Sequence, residues 1–454
     1  MPARKLAKKI PVGVVPLSRT AEKKEKRNEI LTAGEITMKI SLARCLAIST
    51  MGAGLLLATS IFSSTIPLDP DTFLTMLERY VFEDAATETA YYAAVDPDNK
   101  KTTYADWLFE TGFIDNLTDY RTTGFFTNNA DASVTHQNVA DLGFIRRVST
   151  RCEPNCDDPT DIYSVIENYL TFDDAAARIN RLASVTMEWT SAADGSRPSR
   201  NFVTFYAYTG ADERDQSPGV PFQPDLDGRG QKAIPGLCNT CHGGAPRNLR
   251  SDDTYRGNGN TRGLFLPMDL DNFAFDPDST RGLSRADQEA EYKEMNEIVL
   301  KTRLSKKKFD EEAGIYRRSA GHELIEGWYG GPGMPNDTFD GEFVPAGWLP
   351  PVAPEGVDEL YLEAIAPACR SCHAQQKREL DFGTYDGFEV FEDAHRELVL
   401  SIECGLDDDP TVRGDGDDNQ AVMPLAKETY EIFWATGQAD VFKDHFGAFD
   451  CSSR

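Results

Sequence analysis

The period of the apolar positions changes several times along this 454-residue chain, and each change marks an element. Across 71–82, Phe73, Leu74, Leu77 and Val81 recur at helical spacing, which predicts a helix there. Further on, Val185-Thr186-Met187-Glu188-Trp189 and Phe202-Val203-Thr204-Phe205-Tyr206 read as strands. Ala193-Asp194-Gly195-Ser196 lies between them as a turn signal, so the pair predicts a hairpin. Residues 284–304 read as an amphipathic helix, with Ser284 at its start and Asp287 three residues on, in the manner of a capping box. Helices are predicted again over 357–365, 386–403 and 425–436. The stretch from Gly327-Trp328-Tyr329-Gly330-Gly331-Pro332-Gly333-Met334-Pro335 to Trp348-Leu349-Pro350-Pro351 has too much Gly and Pro for regular helix. It reads as an ordered loop belonging to the middle of the chain, followed by a linker ending near Pro354.

This pattern implies a multidomain chain. A strand-containing α+β domain of unknown role occupies 66–230, and mostly helical regions occupy 231–354 and 355–454. None of the usual catalytic templates, such as G-x-S-x-G, H-E-x-x-H or a P-loop, maps onto 66–230. Its one histidine, His136, stands in a polar run and reads as a surface or structural residue.

Charge changes the picture at the start of the chain. The formal charge is −27, from 47 Lys and Arg against 74 Asp and Glu. Residues 1–44 nevertheless carry +7, residues 45–64 carry none, and 65–454 therefore carry −34. From Met38 the order is basic, then apolar through Leu55-Leu56-Leu57, then small, which is the order of a signal peptide. Residues 1–65 are accordingly expected to be a signal or anchor segment, with the true start at Met38 and the protein exported to the periplasm. An uncleaved N-terminal membrane anchor is the alternative, because the apolar run approaches spanning length. So acidic a chain lacks the Lys and Arg needed to neutralise phosphates, which excludes nucleic acid as a main partner.

The chemistry is concentrated in Cys238-Asn239-Thr240-Cys241-His242 and its repeat, Cys369-Arg370-Ser371-Cys372-His373. Both are C-x-x-C-H, the attachment sequence of c-type haem. The spacing has a physical reason. Two thiols one turn apart reach two vinyl groups, and the adjacent imidazole ligates the iron from the same turn. Cys238, Cys241, Cys369 and Cys372 are therefore expected to bind two covalently attached haem c groups, with His242 and His373 as iron ligands. A zinc site is the competing reading, but it does not explain why His follows both pairs directly. A thioredoxin-like redox motif leaves the same feature unexplained. In an oxidising compartment the four other cysteines after the expected signal segment, Cys152, Cys156, Cys404 and Cys451, favour disulfides, Cys152 with Cys156 and Cys404 with Cys451. The acidic runs Asp225-Leu226-Asp227-Gly228 and Asp407-Asp408-Asp409 offer oxygen ligands but lack the spacing of a calcium loop.

Residues 355–454 resemble a class I cytochrome c: a helix leading into the haem motif, a second helix, a loop with Met423-Pro424, and a final helix. The resemblance implies crossed first and last helices beside the haem, and Met423 as the distal ligand of the second iron. The first haem departs from this pattern, since no clean helix precedes Cys238. Its distal ligand is expected to be Met334, with Met268 as the alternative, His322 third, and an open iron the remaining case. The chain as a whole resembles the di-haem c-type cytochromes. That implies transfer of single electrons between redox partner proteins with basic docking surfaces. A di-haem peroxidase-like enzyme or a haem subunit of a dehydrogenase is the rival reading, because an open first iron would admit substrate.

Overall fold

In a computed structural model the described residues are 85–123, 129–193, 195, 200–210, 216–217, 220–221, 233–302, 308–310, 315–317, 320–374, 376, 382–389 and 427–446. The expected signal segment, the 71–82 helix, most of the 386–403 helix, Met423, the Cys404–Cys451 pair and the acidic runs lie outside them. Among the described residues no helix is long and apolar enough to cross a membrane.

Five strands form an antiparallel meander: β1 (Ala132–Asn138), β2 (Ile145–Glu153), β3 (Asp161–Tyr169), β4 (Ala183–Thr190) and β5 (Phe202–Thr209). A short sixth strand, β6 (Phe273–Ala274), joins at the β1 edge, giving the order β5-β4-β3-β2-β1-β6. The predicted hairpin is present, with Met187 opposite Phe205 and Val185 opposite Ala207. Its outer strand would leave a row of backbone groups unpaired, and helix α1 (Ala85–Val95) covers them. The Tyr91 hydroxyl accepts from the Phe205 N–H at 2.7 Å, and the Tyr92 hydroxyl accepts from the Ala207 N–H at 3.4 Å. On the covered face Glu188 of β4 accepts from Lys101 Nζ at 2.7 Å and from Trp107 Nε1 at 2.8 Å.

The other edge of the sheet is built by residues much later in the chain. Helix α2 (Gly236–His242) carries the first C-x-x-C-H, and helix α3 (Arg285–Lys301) lies against β1. Ser284 and Asp287 form the reciprocal capping box read from the sequence. On the β1 side of α3, the Gln288 side chain accepts from the Thr135 N–H at 2.6 Å and donates to its carbonyl at 2.9 Å. His136 is 2% exposed, so it is a buried residue of the sheet rather than a surface one. Its ring stacks on Phe273 at 3.8 Å and its Nδ1 meets the Tyr292 hydroxyl at 2.8 Å. Burial holds the imidazole well below the usual histidine range, hence neutral. The polar run around it is polar because β1 exchanges hydrogen bonds with α3.

The composition changes near 230 and 354 are crossed by packing, and residues 65–454 form one unit. One large apolar core contains Tyr91, Tyr255, Trp328, Trp348 and Phe442, drawn from all three stretches. Helices α4 (Ala320–Trp328), α5 (Lys427–Ala435) and α6 (Gln438–Phe446) complete it, and the Glu428 N–H donates to the Asp141 carbonyl at the β1–β2 turn. Cys152 and Cys156 are joined in a disulfide, as the spacing suggests.

Candidate functional site: two C-x-x-C-H motifs side by side

The first motif occupies the last five residues of α2. The Thr240 hydroxyl donates to the Leu237 carbonyl at 2.6 Å, and Asn239 Nδ2 donates to the Gly243 carbonyl and to the Thr261 hydroxyl. Gly243 and Gly244 then reverse the chain at positive φ. A Cβ on Gly244 would lie 2.3 Å from the Thr261 carbonyl oxygen, so only glycine admits the returning segment 261–264. That segment bonds back to the motif: the Leu264 N–H donates to the His242 carbonyl at 2.9 Å, and His242 Nδ1 lies 2.8 Å from the Leu264 carbonyl. A carbonyl can only accept, so Nδ1 carries the proton and Nε2 is left with its lone pair. Burial pushes the His242 imidazole down to about 4, so it is neutral at pH 7, as a ligand must be. Phe205 of β5 approaches the ring at 5.4 Å.

The second motif ends a longer helical path. Val357–Leu360 passes into a π-turn at Tyr361–Ile365, then Ala366–Ala368 and Arg370–His373. Pro367 has no N–H to return to the preceding turn, which is a physical reason for the widening there. Arg370 is 3% exposed and forms a two-pronged pair with Asp269, Nε at 2.7 Å and Nη2 at 2.8 Å. Asn272 donates to the Ala366 carbonyl and to the Ser371 hydroxyl. The His373 ring stacks on Phe382 at 4.0 Å with 7° between planes. Trp348 Nε1 donates to the Phe382 carbonyl at 2.8 Å, which fixes that platform.

Although far apart in sequence, the motifs meet. The Cys372 thiol donates to Cys241 Sγ at 3.5 Å, and Gln376 Nε2 donates to the Thr240 carbonyl. The shared hydrogen bond lowers Cys241 and raises Cys372 relative to an ordinary thiol, while burial pushes Cys369 up to about 12. Asp141, paired with Arg146 at 2.5 Å, stands close enough to oppose ionisation of both Cys241 and Cys372.

These residues fit haem better than zinc. A tetrahedral zinc site needs its sulfurs gathered around one point. Among the described residues no three of the motif thiols and imidazoles converge in that way; the one such cluster, Asp131 with Cys152 and Cys156, contains the disulfide. Each motif instead keeps its cysteines and its histidine on one short helical turn, with the thiols free of disulfides.

The segments named for the first iron are found around the second motif. Trp328, the last residue of α4, packs on Arg370, whose guanidinium lies 5.2 Å from its ring, and Trp328 in turn packs on Phe339 of the following loop. Met334 is buried in that loop at φ +51. Met268 is half-buried, held by Asn296 on its N–H and carbonyl, and directly precedes Asp269, the partner of Arg370. His322 pairs with Glu326 on α4, beside Gly321, whose N–H donates to the Ala374 carbonyl just past His373. The roles of Asp269, Arg370, Leu264 and Phe382 were not visible in the sequence, where they are ordinary residues of their types. No protein-family model, no curated protein and no solved structure matches the chain.

Proposed function

We propose that this chain is an exported di-haem c-type cytochrome that carries single electrons between redox proteins. The observation that carries the reading is the pair of C-x-x-C-H motifs, each with its two cysteines outside any disulfide and its histidine on the same turn. Haem, when bound, supplies a one-electron iron couple. Cys238 and Cys241 hold one group and Cys369 and Cys372 the other. His242 presents Nε2 because Leu264 occupies Nδ1, and His373 is held flat against Phe382. Met423 is assigned as the distal ligand of the second iron, and Met334, with Met268 as the alternative, of the first. The charge of −34 over 65–454 favours encounter with basic partners, at rates that fall with added salt.

Expression in a host competent for haem attachment, followed by mass spectrometry, tests the reading. A chain cut near residues 60–65 and carrying two haem additions is expected. An unmodified polypeptide mass would refute it. In the loaded protein, Met423→His should lower one reduction potential and leave both attachments intact. Cyanide binding and rapid peroxide turnover at the iron of His242 would instead favour the peroxidase-like alternative.

A further inference from the structure

The two motifs need not touch in order to bind two haems, yet they do, and at the same position of each. Cys241 and Cys372 are both the second cysteine of their motif, and their sulfurs are 3.5 Å apart, at van der Waals contact. The approach is built from several directions. Gln376, three residues past His373, donates to the Thr240 carbonyl inside the first motif. The segment from Leu264 to Asn272 is tied to both copies: Leu264 to His242, Asp269 to Arg370, and Asn272 to Ser371. Arg370 and Asp269 are each nearly inaccessible, so that tie is anchored in the core and not on a mobile surface.

We infer that the chain holds its haems as one directly coupled pair, joined at the Cys241 and Cys372 thioethers, and not as two independent centres. The inference rests on the haem reading above and goes beyond it. On attachment, each thiol adds its S–H across a vinyl double bond, sulfur to the inner carbon and hydrogen to the outer, with nothing oxidised or reduced overall. The sulfurs of Cys241 and Cys372 thereby become the points from which two macrocycle edges extend. Because these sulfurs are in contact, no residue is interposed between the thioethers. Exchange of an electron between the centres is then internal.

The test uses the purified full holoprotein, first shown by mass to carry two haems. Circular dichroism in the Soret region should show a two-signed couplet, as interacting chromophores give. Electron paramagnetic resonance of the oxidised protein should integrate to clearly fewer than two independent low-spin ferric centres. Adding one electron per chain should then restore a one-spin signal. The double variant Cys369→Ala with Cys372→Ala should lose the couplet and keep a one-signed Soret band from the haem at His242. If that variant fails to fold, the spin integration of the fully oxidised unmodified protein still decides. Two haems with one-signed dichroism and two full, independent spin signals would overturn the pair while leaving the cytochrome reading intact. A chain without haem additions would overturn both.

Discussion

The same five-position motif occurs twice, and its two copies are held by different means. The first is a short helix of seven residues with little sequence of its own around it; backbone groups hold it, chiefly the Leu264 carbonyl on His242 and the tight return at Gly243 and Gly244. The second closes a longer helical path and is held by side chains: Arg370 on Asp269, Ser371 on Asn272, His373 on Phe382. Backbone support is insensitive to most substitutions except those at glycine. Side-chain support is stronger per contact and is lost with one residue.

The largest effect should come from the side-chain support. Asp269→Ala leaves the Arg370 guanidinium buried without its carboxylate, and breaking such a pair costs about 3–5 kcal/mol. Chemical denaturation should show that loss. Combining it with Arg370→Met should recover most of it, because two apolar groups need no partner. If Asp269→Ala were as stable as the unmodified chain, the second motif would not depend on this pair.

The backbone support should fail at Gly244. An alanine there meets the Thr261 carbonyl and must adopt φ near +78, a strain of about 1–3 kcal/mol. Its specific signature is a changed environment at His242 with His373 unaffected, readable as a shift of the His242 imidazole resonances alone in nuclear magnetic resonance spectra. Equal shifts at both would show that the two copies are not separately supported.

A smaller effect concerns the sheet on which the first motif rests. His136 is neutral in the fold, whereas an unfolded chain protonates it near pH 6.5, so unfolding takes up a proton below that pH. Stability should therefore be unaffected by this group above pH 6.5 and fall as pH drops below it, by up to about 1.4 kcal/mol per pH unit. His136→Phe should flatten this dependence in thermal melts at several pH values, at a cost of about 1 kcal/mol for the lost bond to Tyr292. An unchanged slope would assign the acid sensitivity elsewhere.

Much of the chain was legible where a local rule decides the outcome. Ser284 and Asp287 cap a helix using atoms within one turn, alternating residues in 185–189 and 202–206 pair across one hairpin, and Cys152 reaches Cys156 across four positions. The C-x-x-C-H spacing belongs to the same class, since it places two thiols and an imidazole along one short helical stretch. Other features depend on contacts between distant stretches, and no pattern in the chain announces those. A polar run around His136 does not show whether the residue is surface or structural until α3 supplies Gln288 and Tyr292, and the loop that begins at 327 does not announce that Trp328 lies over Arg370. By itself the sequence determined the motif spacing, the helix cap and the hairpin, because these are settled by neighbours along the chain. Only the tertiary structure decided that Cys241 meets Cys372 and that Asp269 meets Arg370, because burying charge and closing a shared core depend on segments that come together only when the whole unit packs.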